Sequence, residues 1–393
     1  MTINPKMLDR WADTLLSFSL GGLKLGETVM IKGEPVAWPL ISKLQEKIIR
    51  AGASADIYLL PPDNERGRAW GTTAAKYARP SMIKELPTWV KERYQNFTKY
   101  IEIYGMEYPD LARGGRPENV RKILSLEQEL IGMRLKKPWV ITMFPTKAFA
   151  SAEGVPFGAY EKMLVRASTV TPGKMKIKAK RLSGLLGKTK RVRIITSDKN
   201  GGKTFELVLN IAGRHILDDM SGANIPCGEV FTSPDASSVE GEIFLDMPIS
   251  KQGECIQGTY LKFISGKIVA FKAERGRKKL AGILETDPGA RRLGEVAFGI
   301  NPDLTRPLMH PLFCEKLAGT MHVALGKCFP GAFIANTGSK AAEAKYRAFV
   351  KTGAANESAQ HVDLVVSFLP GGAGKSVFLD ERRLCVRNGS WDY

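Results

Sequence analysis

Residues 28–60, TVMIKGEPVAWPLISKLQEKIIRAGASADIYLL, decide the reading of the N-terminal half. Thr28 to Lys32 follows a Leu-Gly-Glu turn and is short and apolar, as a buried strand is. Leu40, Leu44 and Ile48 then recur every fourth residue across Trp38 to Arg50, which puts them on one face of a helix. Ala51-Gly52-Ala53 supplies the stop, and Ala55 to Leu60 is again short and apolar. A helix-length connection between two buried strands predicts a right-handed parallel crossover. Working outward, Tyr100 to Tyr104 and Trp139 to Phe144 read as further strands. Pro117 to Leu135 reads as a helix through Val120, Ile123, Leu124, Leu130 and Ile131, interrupted by Glu127. The pattern predicts an α/β N-terminal domain over residues 1–165, an open sheet with helices on both faces.

From about residue 166 the spacing changes to two-residue alternation. Met175 and Ile177 (KMKIKAK), Val192 and Ile194 (RVRII), and Phe205, Leu207 and Leu209 (TFELVLN) each predict a strand with one apolar face. Tyr260 to Ile264, Ser265-Gly266 and Lys267 to Phe271 predict a hairpin. The expected fold class is therefore α/β with two domains, the second a β-rich α+β domain over residues 166–393.

Composition narrows the function classes. The 393 residues are 44% hydrophobic and 25% charged, which suits globular domains and excludes a disordered or fibrous chain. Five scattered cysteines, odd in number and never spaced as CxxC, offer neither a disulfide framework nor a zinc ribbon. No apolar run reaches the roughly 18 residues of a membrane span, and MTINPKMLDRW lacks a signal-peptide layout, so the expected location is the cytoplasm with no membrane partner. Lys and Arg number 58 against 40 acids, a net charge of +18. Eleven of these bases lie between Lys174 and Lys203 against one acid, Asp198, with no aromatic interleaved for base stacking. They read as a solvated face, and nucleic acid is not the expected partner.

Four histidines are present, His215, His310, His322 and His361, so few can serve chemistry. The informative segments run in order: CGEVFTSP from Cys227, LGEVA from Leu293, HVALG from His322 and NESAQHVD ending at Asp363. In His361-Val362-Asp363 one intervening residue puts an imidazole and a carboxylate on the same side of a strand, where both can reach one cation. Glu229 and Glu295 each follow a glycine, where the backbone can turn sharply. Each signal alone has a plainer reading: His322 as a hydrogen-bonded core histidine, each Gly-Glu as a turn followed by a surface carboxylate.

As an ordered set these motifs resemble the aminopeptidase T and aminopeptidase S family of thermophilic metallopeptidases. The resemblance covers nearly the whole chain, from Leu25-Gly26-Glu27-Thr28-Val29 through Trp139-Val140-Ile141 and Gly266-Lys267-Ile268-Val269. It implies a dimer of two-domain subunits that removes N-terminal amino acids from short peptides with a pair of divalent cations, zinc or cobalt. It also implies that Glu229, Glu295, His322, His361 and Asp363 hold the metals, with Glu229 and Glu295 as candidates for moving a proton, and that His215 and His310 are dispensable. A shared water between two such ions would be the nucleophile.

One position departs from the family. Its pattern His-x-Ala-Leu-Gly-x-x-Tyr ends here in Phe329, which keeps the ring and loses the hydroxyl, putting turnover in question. The same scaffold also resembles the iron-dependent 2,5-dihydroxypyridine dioxygenases, for which His322, His361 and Asp363 would be a single Fe(II) triad. The presence of both glutamates favours two metals and hydrolysis. A third alternative is a basic binding protein without turnover. The segment Pro370 to Ser376 imitates a phosphate-binding loop, but Leu369 stands where GxxxxGK[ST] needs glycine, and a turn between strands is expected there.

Overall fold

The opening stretch folds as read, because its apolar residues fall on surfaces that neighbouring elements cover. A computed structural model of the chain describes residues 3–60, 71–105, 107, 115–169, 172–198, 201–220, 222–251, 254–306, 308, 310–369 and 374–392. Strand β1 (Thr28–Gly33) leads into a helix, Trp38–Arg50, that buries Leu40, Ile41, Leu44 and Ile48, and β2 (Ser54–Leu59) returns parallel to β1. On the other side of β1 come β3 (Lys99–Tyr104), β4 (Trp139–Met143) and the short strand Asn224–Ile225, all parallel. Pro117–Arg134 is one continuous helix, so Glu127 does not interrupt it. Within the sheet Lys32 pairs in register with Glu102, their charged ends 3.2 Å apart and buried. Among the described residues no helix is long and apolar enough to cross a membrane.

The chain divides into two units, Met1–Val170 with Ser221–Cys227, and Thr171–Met220 with Gly228–Tyr393. The first contains the parallel sheet. Among the described residues the second is antiparallel and holds two sheets. The larger contains the expected strands Arg191–Ser197 and Thr204–Asn210, and the hairpin of Glu254–Ile264 with Lys267–Arg275. Ser265 and Gly266 at its turn have φ of 49° and 74°, as a type I′ turn requires. The smaller sheet carries the motif segments: β5 (Glu229–Thr232), β6 (Leu293–Gly299), β7 (Thr320–Gly326) and β8 (His361–Ser367), with Leu217–Asp218 at the edge beside β5.

One element is corrected. The KMKIKAK stretch is not a strand but part of a helix, Pro172–Leu186. Its buried apolar residues are Met175, Ala179, Leu182 and Leu186, a spacing of four, three and four, whereas Ile177 is 64% exposed. Lysines at alternate positions imitate the period of a strand, but lysine is a good helix former, and here the period of the buried residues decides. In the glycine-rich segment, Pro370 to Ala373 lie outside the described residues. Lys375 pairs with Asp246 at 2.5 Å, and the next residue, Ser376, begins a strand, Ser376–Leu379, so the lysine is a structural partner at the strand's start.

Candidate metal centre

Register in the smaller sheet gathers the motif residues on one face. In antiparallel strands, directly opposed residues and every second residue share a face. Glu295, Ala324 and Asp363 form one row across β6, β7 and β8; Ala297, His322 and Val365 form the next. His361 opposes Gly326 one row out, and Glu229 opposes Gly299 at the other end. All five candidate ligands therefore project from the same side. The residues between them, Ala297, Ala324 and Gly299, are small, which leaves the space that the carboxylates and imidazoles fill.

Glycine in these motifs answers to specific approaches. Gly228 has a φ of 136°, and a Cβ there would sit 2.6 Å from Asn301 Cβ. Gly326 has a φ of 103°, and a Cβ would come within 2.2 Å of the Gln360 carbonyl oxygen, one residue before His361. Gly326→Ala is expected to cost about 2 kcal/mol or more, since both the backbone conformation and the space refuse a methyl group. Gly184→Ala, in open space on the exposed side of the Pro172–Leu186 helix, is expected to be neutral or stabilising by up to about 1 kcal/mol. Urea unfolding of the two variants checks the contrast; equal midpoints would refute it.

The approach to His361 is pinned from several sides. Buried Asn356 donates to the Gly289 and Gly326 carbonyls at 2.8 and 2.6 Å, and the Asp287 carboxylate accepts from the Ala359 amide and the Ser358 hydroxyl. His361 Nδ1 lies 3.1 Å from the Lys327 carbonyl oxygen. A carbonyl only accepts, so Nδ1 carries the proton and Nε2 is left to face Glu295 Oε2 at 2.9 Å and Asp363 Oδ1 at 3.4 Å. His322, 1% exposed, turns Nε2 toward Glu295 Oε1 at 3.4 Å, Glu229 Oε2 at 3.6 Å and Asp363 Oδ1 at 3.9 Å.

Imidazole lone pairs facing carboxylate lone pairs need a positive charge between them. Burial opposes charge on His322, but Glu295, Asp363 and Glu229 outweigh it and push its pKa up to about 9. Burial likewise opposes charge on His361, and Asp363 and Glu295 overcome it. The same pairing holds Glu295 and Asp363 below the usual carboxylate range despite their burial. A metal ion would do the work of these protons. Ligands about 2.1 Å from one tetrahedral ion stand roughly 3.4 Å apart, which is the scale on which each imidazole faces Glu295 and Asp363, and the ligand atoms of Glu295, His322 and Asp363 all lie within 4.8 Å of one another. Asp363 Oδ1 and Glu229 Oε2 are buried and make no hydrogen bond with protein groups. The first cation position therefore fits the residues present.

A second position does not fit in the same way. Beside His322, the carboxylates of Glu229 and Glu315 could form another ligand group. Between them lies Lys316, with no solvent exposure. Its Nζ is 2.5 Å from Glu229 Oε1, 2.7 Å from Glu315 Oε1 and 3.5 Å from Asp219 Oδ2. Burial opposes charge on this ammonium, but the three carboxylates hold its pKa well above the ordinary value. Burial also drives the Glu229 pKa well up, with the neighbouring acids adding to it. A divalent ion sharing Glu229 with the ammonium would lie roughly 4 Å from it and be repelled by about 8 kcal/mol at an effective dielectric constant of about 20. Asp219 in turn accepts from the Gly228 and Glu229 amides at 2.8 and 2.9 Å, which ties the lysine to the backbone that presents Glu229.

The structure thus brings together Glu229, Glu295, His322, His361 and Asp363. It sets the Phe329 ring against His361, with centroids 5.2 Å apart, and against Phe231 at 4.9 Å. Among the described residues, neither His215 nor His310 belongs to a group able to hold a metal. Sequence reasoning missed Asp219, Glu315 and Lys316. A signal for the last two existed: a charged pair inside the otherwise apolar run Leu312 to Leu317. Asp219 had none.

A family model for the thermophilic metalloproteases (M29) matches residues 4–369. The chain belongs to the M29 family. This M29 member is 35% identical to Aminopeptidase 2 of Geobacillus stearothermophilus over 174 residues, 43% of this chain and 40% of the relative. It is 34% identical to Aminopeptidase T of Thermus thermophilus over 178 residues, 42% and 41% of the two chains. Aminopeptidase AmpS of Bacillus subtilis is 33% identical over 174 residues, 44% and 41%. The matched stretch thus spans about two-fifths of the length of these curated relatives. The solved structure of wild-type AmpT from Thermus thermophilus has the same fold, with a TM-score of 0.77 over 99% of each chain at 22% identity.

Proposed function

We propose that this M29 member is a metal-dependent aminopeptidase-like hydrolase acting on short peptides, with one cation held by Glu295, His322, His361 and Asp363. The observation that carries the reading is the convergence of two imidazoles and two carboxylates on one sheet face, each imidazole 2.9–3.9 Å from both carboxylates. The relatives named aminopeptidases support the substrate class. Zinc or cobalt suits two nitrogen and two oxygen ligands. The resemblance implies a pair of cations, but the Glu229 carboxylate that a second would need already binds Lys316. A homodimer in the cytoplasm, divided into domains at about residue 165, completes the proposal.

A divalent cation bound here would supply an acidified water and polarise the scissile carbonyl. The protein's own groups do the rest. His361, held through Nδ1 by the Lys327 carbonyl, keeps its Nε2 aimed into the site. Glu229, with Oε1 fixed by Lys316, leaves Oε2 to take a proton from the attacking water and return it to the leaving amine. Phe231 and Phe329 form an apolar wall beside His361 that limits water on that side. Glu295 reaches both imidazoles, making four ligands where an iron triad uses three, which favours hydrolysis over ring cleavage.

The test is hydrolysis of aminoacyl p-nitroanilides and dipeptides by protein reconstituted with zinc, cobalt or manganese. Wild type is expected to turn over, His361→Ala to be inactive, and Phe329→Tyr to gain tenfold or more in kcat, as restoring one oxyanion donor can. If no variant cleaves any substrate with any of the three metals, the peptidase reading is wrong. One iron per chain with oxygen consumption would replace it with the dioxygenase.

A further inference from the structure

We propose that Lys316 is a built-in cation standing where a second metal ion would sit, so that the chain binds a single divalent ion. The inference rests on the metal site proposed above but not on peptide cleavage. Three observations carry it. Lys316 is wholly buried, so its ammonium cannot swing out to solvent to make way for an ion. It lies within 2.5–3.5 Å of three carboxylates from three separate segments, donating hydrogen bonds to Glu229 and Glu315 and forming an ion pair with Asp219. Two of those carboxylates, with His322, are the group that would otherwise bind a second ion. In the other group, Glu295, His322 and Asp363, it is imidazole nitrogen that faces the carboxylates, at 3.4 and 3.9 Å; Lys251, whose charge also acts on Asp363, donates to the His361 carbonyl at 3.1 Å.

Its role toward the reaction is positioning. By fixing Glu229 Oε1 the ammonium leaves Oε2 turned toward His322 Nε2, 3.6 Å away, on the side of the residues that would hold the first ion. Charge that two ions would share is then supplied by one ion and one fixed ammonium.

The experiment is titration of metal-free, full-length protein with cobalt(II), followed by calorimetry and by elemental analysis after gel filtration. Wild type is expected to saturate at one equivalent, with any second binding about a thousandfold or more weaker. Lys316→Ala is expected to take up two. Lys316→Gln, whose amide keeps two N–H donors but carries no charge, is the second variant should alanine fail to fold, and is also expected to bind two. Two tight equivalents in wild type would overturn the inference while leaving the metalloprotease reading intact. Folded lysine variants that stay at one equivalent would also overturn it, because the ammonium would then not be what excludes the ion. No binding by wild type would overturn the metal site and this inference together, whatever the peptidase assay returns.

Discussion

His322→Ala is expected to lose divalent-ion binding by more than about a hundredfold and to abolish any metal-dependent hydrolysis. Removing a partner that merely orients a ligand already costs about 10–100-fold in affinity. His322 is a candidate ligand itself, wholly enclosed, and its Nε2 faces three carboxylates from three strands at 3.4–3.9 Å. Without the ring, Glu229, Glu295 and Asp363 confront one another across a gap, and the site loses both a nitrogen donor and the spacing that donor maintains. Cobalt(II) titration followed by its visible absorption reads the loss directly. His215→Ala, at an exposed position outside the cluster, is the control and is expected to bind like wild type. Stoichiometric, tight binding by His322→Ala would remove this histidine from the ligand set.

The second large effect is on stability. Lys316→Met, measured by urea unfolding in chelator, is expected to lose about 3–5 kcal/mol, the usual cost of deleting one partner of a buried ion pair and leaving the other charge uncompensated. Three acids depend on this lysine, and a domain's whole stability is only about 5–15 kcal/mol, so the variant sits near its unfolding limit. Adding zinc should raise its midpoint more than that of wild type, because the ion then compensates the carboxylates that the lysine left. A loss below about 1 kcal/mol would show that the ammonium is not what makes this cluster tolerable.

The parts of the molecule that were legible in sequence are those whose signal is local. The strand, helix and strand of residues 28–60 announce themselves because Leu40, Leu44 and Ile48 repeat at the period of the face they bury. His361 and Asp363 could be paired on paper because two residues along a strand is also two residues along a face. The helix Pro172–Leu186 was misread for the complementary reason. The lysines between its buried residues repeat every second position, while Ala179, a member of the buried set, is too small and common to register as apolar signal.

By itself the sequence determined the α/β order of the N-terminal half, the β-rich character of the C-terminal half, the family, and five candidate ligands, Glu229, Glu295, His322, His361 and Asp363. Only the tertiary structure decided how those ligands combine. Glu229 and His361 are more than 130 positions apart, and only the register of four antiparallel strands, with alanine and glycine at the crossing points, brings the first to His322 and the second to Glu295 on one face. Tertiary structure also decided the charge of the site. A lysine in a list of 58 basic residues carries no mark of its burial, yet three carboxylates drawn from three segments converge on Lys316 and leave it nowhere else to go. Pairwise electrostatics over a few ångströms is a property of the fold, and no one-dimensional spacing records it.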